Sequence, residues 1–357
     1  MKNIEKIVLR GCLLLIITIN KGVINMNKFK KIGLSALAGS MVAFSAAQAG
    51  EMSVGGSAWI GMGNSDEGIG NGFTSMTDSL NFTGTGELDN GMTVTLFYEI
   101  DGDAVASSEA NADTTADVRT QGLDTHYVKL AGGFGAVTYS GHGVDGVLAG
   151  MDDKTPNAYE EAWDAGTSVA DDTLVGRGHN DSLRYDSPSF NGITVHAYHS
   201  EQFDAGPGAY QDFGITIKPE MVEGLELGFA TGEYDDSATT SIDQDTMYAT
   251  YAYGPITVGY QVSESSTSDT DVTYNQAFET TAMGISFAVN DDLSIGYGVF
   301  EADYESTSLV DQESTAITAS YTMGSMTIGG LIGEDENIAG VSTDDNDKYE
   351  ISLSIAF

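Results

Sequence analysis

The last ten residues, Lys348 to Phe357, read Lys-Tyr-Glu-Ile-Ser-Leu-Ser-Ile-Ala-Phe. Tyr349, Ile351, Leu353, Ile355 and Phe357 share one parity, and mostly small or polar residues share the other. Period-two alternation of this kind marks a strand with one apolar side. The chain then closes on an aromatic residue with no polar tail. The same alternation recurs from Met52, Val54, Ala58, Ile60 and Met62 onward, and sixteen such segments can be counted. Asp89-Asn90-Gly91 is a tight turn between two of them, the usual mark of a hairpin.

The spacers alternate in length. Short turns join segments 2–3, 4–5, 6–7, 8–9, 10–11, 12–13 and 14–15. Longer acidic, Ser/Thr/Asp-rich stretches fall near 63–75, 102–118, 143–180, 201–208, 235–244, 264–273, 301–312 and 334–346. A soluble sandwich or jelly roll also produces period two, because burial on one side suffices. Short turns at one end, long loops at the other and an even strand number instead fit a membrane-spanning barrel. After Gly50 no apolar run approaches the roughly twenty residues of a spanning helix. A glycine-rich calcium solenoid would need the G-G-x-G-x-D nonapeptide repeat, which is missing. The expected fold is all-β: a transmembrane antiparallel β-barrel of about 16 strands, residues 50–357.

The front of the chain agrees. Met-Asn-Lys-Phe-Lys-Lys from Met26 is a basic n-region, an apolar small-residue stretch follows, and Ala47-Gln48-Ala49 is an A-x-A cleavage signal. Residues 26–49 therefore read as a secretory signal peptide cut between Ala49 and Gly50. Residues 1–25 read as an over-extended start or a leader extension. Cys12 does not fit a lipid-attachment site, because the apolar run follows it. Removing residues 1–49 leaves seven basic against 52 acidic residues, a net charge of −45. That charge excludes nucleic acid as a general partner, since such binding needs a basic footprint. The remainder holds no cysteine, so neither disulfides nor a thiolate metal site is available.

A sixteen-stranded barrel is too wide for its own side chains to fill and encloses water, so its narrowest ring decides what passes. The long stretch from Gly143 to His179 is the candidate constriction. It carries Asp145, Asp152, Asp153, Glu160, Glu161, Asp164, Asp171 and Asp172 against only Lys154 and Arg177. With so few cations the lumen should be negative and favour cations.

The segment Asn180-Asp181-Ser182-Leu183-Arg184-Tyr185-Asp186-Ser187-Pro188-Ser189-Phe190-Asn191-Gly192-Ile193-Thr194-Val195 resembles the hairpin that follows the constriction loop in Gram-negative general porins of the alpha- and beta-proteobacterial type. The leader opening into an alternating strand, and the terminal Phe357, support the same likeness. The resemblance implies a homotrimer in outer-membrane lipid and lipopolysaccharide, with the third extracellular loop folded inward as an eyelet. It also implies that Phe357 is read by the outer-membrane barrel assembly machinery. The family faces its acidic loop with wall arginines. Arg184 matches one such position, because Leu183 and Tyr185 would face lipid. Where a Gly-Arg pair is expected, this chain has Gly141-His142. Arg119 and Arg177 are further candidates for the basic side.

Other constellations are weaker. The five histidines show no HExxH-like spacing, and His196 and His199 read as solvated residues at a loop mouth. Acid clusters such as Asp101-Gly102-Asp103, Asp269-Thr270-Asp271 and Asp344-Asp345-Asn346-Asp347 offer oxygen ligands suited to Ca²⁺, but without EF-hand spacing they read first as solvated loop tips. No G-x-S-x-G elbow or phosphate-cradling loop is present, and no catalytic residue is assigned. The leading function is a passive diffusion channel for small hydrophilic solutes and ions. The alternatives are a non-transporting surface barrel, such as an adhesin, and a substrate-specific channel.

Overall fold

The computed structural model describes residues 50–64, 73–102, 122–163, 180–202, 209–235, 241–267, 277–306 and 308–357. Its strands, in chain order, are β1 (Glu51–Asn64), β2 (Phe73–Glu87), β3 (Thr93–Gly102), β4 (Gly122–Gly132), β5 (Gly135–His142), β6 (Asn180–Asp186), β7 (Ile193–Gln202) and β8 (Tyr210–Ile217). They continue as β9 (Leu225–Asp235), β10 (Ser241–Tyr253), β11 (Ile256–Thr267), β12 (Phe278–Ala288), β13 (Leu293–Tyr304), β14 (Gln312–Met323), β15 (Met326–Glu336) and β16 (Asn346–Ala356). Each pairs antiparallel with its neighbours, and β16 pairs back onto β1 to close the barrel. Closure leaves no sheet edge, which is what lipid demands of a sheet. Among the described residues no helix is long and apolar enough to cross a membrane. The strands do the crossing.

The alternation sorts side chains onto two faces. Met52, Val54, Ile60 and Met62 on β1 stand exposed beside Tyr349 and Ile351 on β16, in the register Met62↔Ile351 and Asn64↔Tyr349. Near the short turns the outer face carries exposed aromatics, among them Phe134, Tyr185, Tyr253, Phe287, Tyr321 and Phe357. This is the interfacial girdle of a membrane barrel. The turns behave as the sequence predicts: Gly91 takes φ +78°, and the Leu88 N–H donates to the Met92 carbonyl at 2.7 Å.

At the long-loop end the strands run further than the apolar pattern suggested. β1 continues to Asn64, β11 to Thr267, β13 to Tyr304 and β15 to Glu336, so the connections are shorter than expected. The ladder persists there while the outer face turns acidic. Asp245, Glu264, Glu279 and Asp303 stand directly opposite one another on four successive strands, all exposed. A hydrophobic period cannot mark the end of a strand that protrudes beyond lipid.

The buried apolar clusters lie inside the barrel, where residues 143–163 meet the inner wall. Val147, Leu148 and Met151 pack with Tyr198, Tyr210, Ile242 and Tyr248. Ala162 and Trp163 pack with Phe300 and Leu331. The wall residues of both clusters have the parity opposite to the exposed apolar ones.

Candidate functional site

On β6 the exposed Leu183 and Tyr185 flank Arg184, whose side chain points into the barrel. Its Nη1 donates to the carbonyls of Asp145 and Gly146, each at 3.1 Å, and its Nε pairs with Asp186 at 3.2 Å. On the next strand, the Tyr198 hydroxyl donates to the Val144 carbonyl at 3.1 Å. On β8, Asp212 Oδ2 accepts the Leu148 N–H at 2.9 Å and the Tyr210 hydroxyl at 2.8 Å. Three neighbouring strands thus grip the start of the 143–163 segment by its peptide groups.

The grip continues around the wall. Gln261 on β11 uses both ends of its amide: Oε1 accepts the Lys154 N–H and Nε2 donates to the Met151 carbonyl, each at 2.9 Å. The Thr318 hydroxyl on β14 accepts the Ala158 N–H at 3.0 Å. The Tyr159 hydroxyl donates to the Glu350 carboxylate on β16. Burial and this carboxylate push the Tyr159 phenol well above its ordinary value of 10.0, so it remains a donor at any physiological pH.

A groove in the wall receives the segment. Gly259, Gly284 and Gly298 are successive cross-strand partners on β11, β12 and β13. A Cβ at Gly259 or Gly284 would collide with Pro156, and one at Gly296 would stand 2.7 Å from the Ala158 nitrogen. Tyr159 lies against Gly329 on β15 in the same way. The backbone of the segment approaches the sheet where the sheet has no side chains.

The predicted site residues separate into three groups. Asp145 and Asp153 are exposed, Asp153 with φ +46°, while Asp152, Glu160 and Glu161 are half-buried. Glu161 Oε1 accepts the Asn157 amide at 2.6 Å. Arg184 sits at the root of the segment and not across the lumen from its carboxylates. His142 pairs with His126 at a bulge, and its Nδ1 meets the Asp124 carbonyl, which keeps it on the barrel rim. Arg119, Asp164 and Arg177 lie outside the described residues, as do Ala49 and the leader.

His196 differs from its sequence reading. It is not a solvated residue at a loop mouth but faces inward toward the short-turn end. There its Nδ1 is 2.7 Å from Asp186 and its Nε2 3.1 Å from the Thr216 hydroxyl. This chain braces Asp186, which in turn holds Arg184. Tyr198, Asp212, Gln261, Thr318 and Glu350 were also missed, because on an inward-facing strand they read as ordinary polar-face residues. For Tyr198, Asp212, Gln261 and Glu350 the available signal was their size beside the many inward Gly, Ser and Thr, and Thr318 offered none.

The inward cations are largely neutralised. Lys348, 0 % exposed, pairs with Asp335, 2 % exposed, at 2.6 Å. Among the described residues, Lys129 on β4 is the inward wall cation with no ion pair. No group of three or more His, Cys, Asp or Glu side chains among the described residues is placed to hold a metal ion.

A family model described as Gram-negative porin matches residues 33–357. Among solved structures, the anion-selective porin from Comamonas acidovorans is similar with a TM-score of 0.65 at 15% identity, covering 86% of this chain and 99% of that one. An engineered variant of the Rhodobacter blastica porin gives a TM-score of 0.60 at 12% identity, covering 86% and 100%. At such identities these likenesses speak for the fold alone. No curated protein matches the chain. Sixteen strands, a closed antiparallel ladder, an apolar outer band and the family match agree: the chain belongs to the Gram-negative porins, multi-pass channel barrels of the outer membrane.

Proposed function

We propose that the barrel is a cation-preferring diffusion channel for small hydrophilic solutes, with residues 143–163 forming its constriction. The observation that carries this reading is the balance of charge inside the barrel. Asp145 and Asp153 of the segment are exposed, and Asp152, Glu160 and Glu161 lie close by, while Arg184 is matched by Asp186 and Lys348 by Asp335. Negative walls raise the local concentration of cations, and added salt screens that effect over about 8–10 Å near physiological strength. The Comamonas acidovorans porin is named as anion-selective. The charge set of this chain argues for the opposite preference on a shared fold.

Bilayer recording across a KCl gradient tests the proposal. The expected reversal potential has the sign of K⁺ preference and shrinks as both salt concentrations rise. A reversal potential favouring Cl⁻ overturns the cation preference. The absence of any conductance from folded barrels favours the non-transporting surface barrel.

The same reading includes a homotrimer in lipopolysaccharide-containing membrane, removal of residues 1–49, and use of Phe357 by the barrel assembly machinery. The apolar outer band and the Ala47-Gln48-Ala49 motif support these assignments. Cross-linking of the barrel in native membrane and sequencing of its mature N-terminus test them. A monomer, or a start far from Gly50, refutes the corresponding assignment. Ca²⁺ on the acidic loop tips is a weaker proposal, tested by calorimetric titration of the folded barrel.

A further inference from the structure

Arg184 and Asp212 grip adjoining peptide groups with opposite polarity. Arg184 Nη1 binds the carbonyls of residues 145 and 146, and Asp212 binds the N–H of residue 148. Val147 and Leu148 are completely buried, wedged against Gly214 and Gly232: a Cβ at those positions would stand 2.6 Å from Val147 Cγ1 and 2.7 Å from Leu148 Cδ1. Residues 145–148 are therefore held by hydrogen bonds at 145, 146 and 148 and by packing at 147 and 148 before the segment enters the glycine groove.

We propose that Arg184 and Asp212 are positioning residues that lock the root of the constriction segment and so set the bore, and that neither is a charge met by passing ions. The proposal rests on the reading of residues 143–163 as the constriction. Asp212 is 0 % exposed, so no ion in the lumen reaches it. One of its oxygens holds the segment and Tyr210, while the other, Oδ1, makes no hydrogen bond. A buried carboxylate so placed is costly unless a nearby charge and its donors compensate it. The Leu148 N–H and the Tyr210 hydroxyl meet one oxygen of Asp212, and Arg184 eases the remaining cost without pairing with it, since its own donors go to Asp186 and to the two carbonyls. Losing Arg184 leaves the carbonyls of residues 145 and 146 without their donor, and losing Asp212 leaves the Leu148 N–H without its acceptor. Selectivity resides instead with the exposed carboxylates further along, such as Asp153.

Single-channel recording of the whole barrel in planar bilayers separates position from charge. R184K keeps the charge but cannot reach both carbonyls and Asp186 with one ammonium. The expected result is a conductance change of roughly 1.5-fold or more, with flicker, at an unchanged reversal potential. D212A should behave in the same way, whereas D212N, which retains an acceptor oxygen, should stay near the parent conductance and reversal potential. The only cysteine of the chain is Cys12, so a V147C/G214C disulfide introduced into D212A is the sole bridge. Oxidation should return parental conductance and reduction should remove it again.

An equal shift of reversal potential in D212N and D212A overturns the proposal, because Asp212 would then be a pore charge. So does parental conductance in R184K, which decides the matter if D212A fails to fold. A separate control tests the underlying reading. D153C modified with a bulky methanethiosulfonate should conduct less, and an unchanged conductance would refute the constriction itself, whatever the other variants do.

Discussion

Phe357 exchanges both backbone hydrogen bonds with Gly56, at 2.9 and 3.0 Å, and lays its ring over the place where a Gly56 side chain would be. A Cβ on Gly56 would meet the ring at 2.8 Å. The last residue of the chain therefore seals the seam between β16 and β1 and covers a gap in the outer face of β1. Gly56 is buried there, although it shares the parity of the exposed Val54 and Ile60.

Seam closure should accordingly depend on the size of residue 56. Gly56→Val overpacks the site and should cost about 1–3 kcal/mol. Refolding from urea into detergent, followed by a cold electrophoretic shift, should show a lower folded fraction for G56V than for G56A. Parental yield from G56V would show that the ring has another place to go.

The glycine groove predicts a defect confined to the channel. Gly284 lies on β12 under Pro156, and its exposed strand neighbours Met283 and Ile285 are untouched by a change there. Gly284→Val should leave the outer face and the ladder intact while lifting the segment from the wall. The expected signature is a near-parental melting profile with an altered conductance and frequent switching between levels. A melting transition that collapses along with the conductance would mean that the groove supports the barrel itself.

Lys348 and Asp335 form the most buried ion pair among the described residues. Removing one partner strands the other charge. Lys348→Met should destabilise the barrel by about 3–5 kcal/mol, and K348M/D335L should recover most of that loss. Urea unfolding in lipid vesicles measures both. A double variant no more stable than the single one would rule out the stranded charge as the cause.

Carboxylates at 245, 264, 279 and 303 face one another across the ladder. Like charges in direct cross-strand register destabilise a sheet by roughly 0.2–1 kcal/mol per pair. Thermal stability should rise with ionic strength as this repulsion is screened. Glu279→Gln, which relieves two contacts at once, should raise the midpoint at low salt and flatten its salt dependence. A salt response unchanged in E279Q would locate the repulsion elsewhere.

The barrel was legible in the sequence for a definite reason. Each spanning strand contacts lipid on one side and water or loop on the other, so Met52, Val54, Ile60 and Met62 stand out against Gly and Ser. Closure, strand count and short turns follow from the regular repetition of that contrast. Arg184 was correctly aimed inward by the same parity, but nothing in its neighbourhood of sequence indicates that it meets residues 145 and 146. Asp212, Gln261, Thr318 and Glu350 were invisible because an inward polar residue that binds a loop has the same periodicity as one that faces water. The glycine groove was hidden by a similar degeneracy. Gly259, Gly284 and Gly298 become a row only when three strands are placed in register.

The wall holds residues 143–158 chiefly through main-chain N–H and C=O groups, at Val144, Asp145, Gly146, Leu148, Met151, Lys154 and Ala158. Every amino acid except proline offers both groups. Where the segment lies is thus written in the barrel, and what it presents to the lumen is written in its own side chains. The two can be inherited and altered separately. A side chain such as that of Asp153 can be exchanged without losing the main-chain contacts that place the segment, so the surface it presents to the lumen can change by a few codons in one loop.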